Sequence, residues 1–335
     1  KKAPAASTLH SRYRAVAPLI RGALCRAAEE KDARFILCPV QDRAVLEFLS
    51  RPDAKKIALA APLTPDHIIR TGAFALWIDK PAFDRPEHFA SQVQRALTGY
   101  IEKYRRYCAR YGDETETGET KSLRAASLPR VILLPGIGAV CSGSSVAQTG
   151  VTADITRQTL AVKSQIAASG APYAGLSDKH LYAMEYHVFQ QAKLLHNPKK
   201  RYSTRIALIT GGAGAIGRGI CDVLCEQGYN VALSDLPGKG LRDAVAELSE
   251  QYGESVTGVE LDVSDPGSVK HGFDEITQRW GGIDLVVVNA GLAHVSTLAD
   301  MDIDAFRKLE RVNTEGTLLI LAEAARRFTA QGCGG

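Results

Sequence analysis

Apolar positions in the first 200 residues alternate between short runs and helical stripes. Residues 14–30 place apolar side chains at three- and four-residue spacing, which predicts a helix. Residues 34–39 (RFILCP) form a short run of strand type, and 41–50 return to helical spacing. Residues 56–61 and 74–79 predict two more strands, the first stopped by Pro62. Residues 86–111 are rich in helix formers and predict one long helix, followed by a polar, acidic loop over 113–120. Residues 130–135 (RVILLP) predict a buried strand, with Gly136 and Gly138 turning the chain from strand to helix. Helical spacing resumes over 151–169 and 178–195, and the polar 197–203 (NPKKRYS) reads as a linker.

After the linker the pattern becomes regular. Strands are predicted at 205–210, 230–235, 255–260 and 283–289, followed in turn by helices at 215–228, 239–252, 267–280 and about 304–328. Such alternation implies parallel β-α-β units, right-handed crossovers and a ligand crevice at the carboxyl ends of the strands. The predicted fold class is α/β. An N-terminal α/β domain spans 1–196, the linker 197–203, and a partial Rossmann domain, part of a doubly wound parallel sheet, 204–335.

The sharpest local feature is 206–217, IALITGGAGAIG. A β-branched run meets a glycine cluster and then a helical pattern, and Gly212, Gly214 and Gly217 satisfy G-x-G-x-x-G. The three glycines serve the turn, the approach of a pyrophosphate to bare backbone, and helix–strand packing. The helix that follows offers unpaired N–H groups and partial positive charge to phosphates. The next predicted strand ends in Asp235, where this arrangement places a carboxylate for the adenosine ribose hydroxyls. A carboxylate repels a 2′-phosphate, so NAD is expected over NADP, although Lys239 and Arg242 are close in sequence.

Charge sharpens the division. Residues 1–204 hold 30 Lys+Arg against 18 Asp+Glu, whereas 205–335 hold 11 against 19. The sign changes where the glycine motif begins, as expected at a domain boundary. The basic residues are scattered and not interleaved with aromatics, so nucleic acid is not an expected partner. Seven cysteines at irregular spacing, without C-x-x-C, fit a reducing cytoplasm rather than a disulfide framework. No run of 18 apolar residues predicts a membrane span. The chain opens with Lys rather than Met, which fits a processed or excised piece.

Four motifs in order make the second half resemble the short-chain dehydrogenase/reductase family. They are Thr210 to Gly217, Leu261-Asp262-Val263, Asn289-Ala290-Gly291, and Val312-Asn313 with Gly316. Ala215 departs from the family's usual glycine, and the octet also fits the extended, epimerase-like branch; Asn289-Ala290-Gly291 favours the other branch. The resemblance implies Gly211, Gly212, Gly214, Ile216 and Gly217 at the pyrophosphate, and Asp235 at the ribose. It implies Asp262 and Val263 at adenine, and Asn289, Ala290 and Gly291 near the nicotinamide ribose. Asn313 is the implied proton-relay residue. Read as structure alone, Asp262 is a helix cap, 289–291 a turn and Asn313 part of a polar helix face. The family's Tyr-x-x-x-Lys pair is absent from the 335 residues, so the dehydrogenase half is expected to be truncated and inactive by itself. A non-catalytic nucleotide-binding or assembly module is the alternative.

In the first half, 61–71, 129–138 and 184–194 resemble the segment that joins a class II aldolase to a dehydrogenase in bifunctional rhamnulose-1-phosphate aldolase/alcohol dehydrogenases. That implies oxidation of lactaldehyde with NAD in deoxy-sugar catabolism, with NAD(H) and a small hydroxy or aldehyde substrate as partners and a homo-oligomer as an assembly to test. The eight histidines include no H-x-H, so no metal ligand is assigned. His67, beside Asp66 and Arg70, reads either as a polar contact at a site or as part of a turn after Thr64-Pro65.

Overall fold

A computed structural model describes residues 5–30, 32–112, 128–194 and 200–334. The predicted loop 113–120 and part of the predicted linker, 197–199, lie outside the described residues. The chain divides into two compact units, Lys1–Lys199 and Lys200–Gly335.

The first unit is built on β1 (Ile36–Val40), β2 (Leu76–Trp77), β3 (Val131–Leu134) and β4 (Gly138–Gly143), in the order β1-β4-β3-β2. β2 and β3 run parallel; β4 is antiparallel to both β3 and β1. Every residue of β3 is buried, because both faces of the sheet are covered. Ile132 and Leu134 join a core with Tyr13, Ile20 and Phe89, from α1 (Ala6–Ala27) and α5 (Pro86–Tyr111). Val131 and Leu133 join the opposite core with Phe48 of α2 (Arg43–Leu49) and Leu160 of α6 (Val146–Ala168). The period of two along the strand sends alternate side chains into different layers.

Three expectations are corrected in this unit. Residues 56–61 are not a strand: α3 (Ala54–Ala58) takes the first half of this stretch, burying Ala54 and Ala58 one helical turn apart, and residues 59–61 are irregular. Gly136 and Gly138 do not lead into a helix but turn a hairpin from β3 to β4, each with a positive φ. A Cβ on Gly138 would fall 2.2 Å from the Val40 carbonyl oxygen. The helix expected over 178–195 is broken into α7 (Asp178–Glu185) and α8 (Val188–Ala192), α4 being Pro65–Thr71. The break follows from burial of Glu185, whose carboxylate accepts from Tyr104 Oη at 3.0 Å, Tyr107 Oη at 3.3 Å and the Ala73 N–H at 3.3 Å. Tyr186 then leaves helical geometry and places its hydroxyl against Tyr104 Oη.

The second unit is a parallel sheet of β5 (Ile206–Thr210), β6 (Asn230–Asp235), β7 (Val256–Glu260) and β8 (Leu285–Val287), ordered β7-β6-β5-β8. The crossovers are α9 (Ala215–Gln227), α10 (Lys239–Tyr252) and α11 (Pro266–Trp280). The strand order reverses between β5 and β8, which opens a crevice at their carboxyl ends. β8 is anchored by two buried side chains. Asp284 accepts the Ile206 N–H at 2.9 Å, and the Gln331 amide pairs with both backbone groups of Ile283 at 2.7 Å. The last predicted helix is three segments: α12 (Ile303–Glu310), a π-helical turn Arg311–Gly316, and α13 (Thr317–Gln331).

Burial pushes the Glu185 carboxyl above its ordinary 4.5, more than Arg130 and its three donors pull it down. A raised folded value keeps the proton on after the unfolded chain has released it. This term therefore lowers stability as pH rises through 4.5 and levels off above the folded value. Glu185→Gln should flatten that dependence. Glu185→Leu should destabilise the first unit by about 2–4 kcal/mol by stranding buried donors, as read by denaturant unfolding at pH 5 and pH 8.

Candidate functional site

The site forms where β5 ends. Thr210 is fully buried, and its hydroxyl accepts the N–H groups of Asn289 at 3.0 Å and Ala290 at 3.1 Å. In return the Asn289 amide donates to the Thr210 and Gly211 carbonyls at 3.0 and 3.1 Å. The loop after β8 is thus fastened to the turn after β5 by four hydrogen bonds across the switch point.

The tight turn falls on Gly211, with φ +63°, rather than on Gly212. A Cβ on Gly211 would lie 2.8 Å from the Ala290 Cα. Gly212 donates its N–H to the Ser234 carbonyl at 2.8 Å. The closest packing is at Gly217, where a Cβ would lie 2.2 Å from the Gly211 carbonyl oxygen and 2.7 Å from the Gly212 Cα. The first turn of α9 therefore lies against bare backbone. Gly214 is its N-cap and no side chain caps it, so the first-turn N–H groups are left for a ligand. Gly214, Ala215 and Ile216 are exposed along this edge, Ile216 at 73%.

Asp235 ends β6 beside this turn. Its carboxylate accepts the Ala213 N–H at 3.0 Å and the Leu236 N–H at 2.8 Å, and its own carbonyl accepts from Leu261 at 2.9 Å. The next residue, Asp262, spends one carboxylate oxygen on the N–H and hydroxyl of Ser264, at 2.9 and 2.7 Å. The helix cap that Asp262 could have been is supplied instead by Asp265, which accepts from Gly267 and Ser268 at the start of α11. Val263 is buried against Gly316, where a Cβ would fall 2.9 Å from its Cγ2. Asn313 lies on the π-helical turn, a local form frequent at functional sites. Its side-chain amide pairs with both backbone groups of Leu292, at 2.8 and 2.9 Å, and holds the segment just after Gly291.

These contacts join the four motifs in one chain around the strand ends. The glycine turn meets Asp235 and Asn289; Gly291 meets Asn313; Gly316 meets Val263. Four participants were not singled out for a role by sequence reasoning. The Thr210 hydroxyl and the Leu292 backbone act through contacts far apart in sequence. Gln331 lies 48 residues from its partner. Arg218 donates to the Ala213 carbonyl at 3.0 Å and pairs with Glu247 at 3.1 Å, and only its place one residue past the glycine motif hints at this. The two helix cysteines of α9, Cys221 and Cys225, are buried with thiols pushed up to about 12, so they serve packing.

The aldolase class II second domain matches residues 11–194, and the short chain dehydrogenase family matches residues 205–335. The chain belongs to these two families in series. The aldolase-type domain and the dehydrogenase domain align together with the uncharacterized oxidoreductase YuxG of Bacillus subtilis (strain 168). That match is 31% identical over 326 residues, 96% of this chain and 45% of that protein. Sorbitol dehydrogenase of Cereibacter sphaeroides is 33% identical over 135 residues, 40% of this chain and 51% of its own length. A solved short-chain type dehydrogenase/reductase from Mycobacterium marinum shares 32% identity over 39% of this chain and 53% of that one, with a TM-score of 0.38. The chain spans about half the length of the curated relatives it matches. Among the described residues, no helix is long and apolar enough to cross a membrane.

Thr210→Val should cost the dehydrogenase domain about 1–3 kcal/mol, because two backbone donors lose their acceptor without loss of volume. Thr210→Ser keeps the hydroxyl and should recover most of it. Urea unfolding of both variants provides the measurement.

Proposed function

We propose that the dehydrogenase domain binds NAD(H) at the carboxyl ends of β5, β6 and β8, within a bifunctional aldolase/dehydrogenase that oxidises a small lactaldehyde-type hydroxy or aldehyde substrate in deoxy-sugar catabolism. The observation that carries the cofactor reading is the Asp235 carboxylate, hydrogen-bonded to the glycine turn itself. A carboxylate so placed would face the ribose of a dinucleotide whose pyrophosphate lay on the turn, and its charge would oppose a 2′-phosphate. Of the nearby cations, Lys239 is engaged by Asp243 at 2.5 Å and Arg218 by Glu247 at 3.1 Å.

The residues present suit the cofactor. Gly211, Gly212 and Gly217 make a cradle that a Cβ would fill, and Gly214 and Ile216 edge an uncapped helix N-terminus for the pyrophosphate. Asp262 and Val263 take the adenine side; Asn289, Ala290 and Gly291 take the nicotinamide ribose side. When bound, NAD supplies the hydride acceptor. The chain's own part is to orient it: Thr210 and Asn289 fix the spacing of the two loops, and Asn313 fixes the second loop through Leu292. Asn313 has its side-chain amide engaged by Leu292 and its carbonyl accepts the Thr317 hydroxyl at 2.7 Å, so its place in a proton relay rests on the family resemblance. With no Tyr-x-x-x-Lys in the 335 residues, this chain is expected to bind the cofactor without turning over substrate by the family's route. The substrate class rests on the resemblance of the first half to the bifunctional enzymes.

Titration of the chain with NADH and with NADPH, followed by nicotinamide fluorescence, tests the reading. Wild type should prefer NADH. Asp235→Ala should weaken NADH about tenfold, or about 1.4 kcal/mol, and narrow the gap to NADPH. Equal NADH affinity in the variant would remove Asp235 from the site.

A further inference from the structure

The first unit contains a cavity of about 40 Å³ that the dinucleotide site does not use. Its walls are mostly apolar, from Ala58, Ala75, Val131, Leu133 and Leu160, and Lys163 also lines it. Lys163 projects from α6 and is 1% exposed. Its ammonium donates to the carbonyls of Ala58, the last residue of α3, at 3.1 Å and of Ala60 at 2.6 Å. The ring of Tyr173 lies 5.0 Å from Nζ, and the Tyr173 hydroxyl is itself turned away to the Ala61 carbonyl at 2.7 Å. Among the described residues, no carboxylate forms an ion pair with Lys163. An ammonium carries three donors, and two are spent on carbonyls.

A buried cation without a counter-charge is costly, and a cavity beside it gives a counter-charge room to enter. We propose that this cavity is a binding site for a short monocarboxylate of two or three carbons. The carboxylate takes the remaining Lys163 donor, and the alkyl end meets Ala75, Leu133 and Leu160. The Thr159 hydroxyl, which also lines the cavity and reaches His67 Nδ1 at 3.3 Å, is a second polar group at the wall. The size agrees: a water needs roughly 10–15 Å³ of such space, so the cavity holds about three to four waters, or a ligand of four to five heavy atoms. Burial lowers the amine to about 8, so it remains mostly protonated at neutral pH and keeps its charge for an anion.

The test is saturation-transfer NMR and thermal unfolding of the full chain with sodium propionate, against propionamide at the same concentration and ionic strength. Propionate should give a saturable signal and a rise in unfolding temperature; propionamide, the same shape without charge, should give neither. Lys163→Met should weaken propionate at least tenfold. Ala75→Val, which keeps the ammonium and narrows the cavity, should weaken it as well. No saturable propionate signal in wild type, equal response to propionamide, or unchanged affinity in a folded Lys163→Met would overturn the site. If Lys163→Met does not fold, the propionate–propionamide comparison and Ala75→Val decide between the two outcomes.

Discussion

The buried hydroxyl of Thr210 holds the dehydrogenase domain's site together. It ends β5, where the strand order reverses, and takes two N–H groups from the loop after β8. Both loops leave the sheet at neighbouring strand ends and would diverge without a common fastening. The Asn289 amide returns two hydrogen bonds to the turn, so each loop is positioned by the other. With the turn fixed, the helix that follows can approach only if position 217 has no side chain, and it has none. The exposed N–H groups of that helix, and the crevice they face, follow from these two conditions.

The same logic extends outward. Asp235 touches the turn through Ala213, and Asn313 supports the second loop through Leu292. The π-helical turn brings Asn313 to that position, and Gly316 lets the same turn press on Val263. A polar side chain hydrogen-bonded to the backbone of a second segment restrains what it joins. The arrangement is preorganised in this chain, which reduces the cost of ordering a ligand site on binding.

The second unit was largely legible in the sequence because its signals are local. The strand ends at Thr210 and Asp235 and the helix beginning after Gly238 follow from apolar runs and turn residues a few positions apart. The fastening was not legible. Thr210 and Ala290 are 80 residues apart, and a threonine ending a strand gives no sign of what its hydroxyl will meet. The first unit was harder to read for a related reason. Residues 56–61 have a strand-like composition, yet burial of Ala54 and Ala58 one turn apart goes with a helix there. Helical spacing continues through 178–195, yet Glu185 is drawn into a cluster of tyrosine hydroxyls from α5, and the helix breaks there. Tertiary demand on one side chain outweighed the local pattern.

Four motifs, scattered over more than 100 residues, form one cradle fastened at Thr210. Hydrogen exchange of the full chain with and without NADH tests it most directly. NADH should slow exchange together at the glycine turn, 211–217, and at the loop 289–292. Slowing at one segment without the other, or at neither, would contradict it.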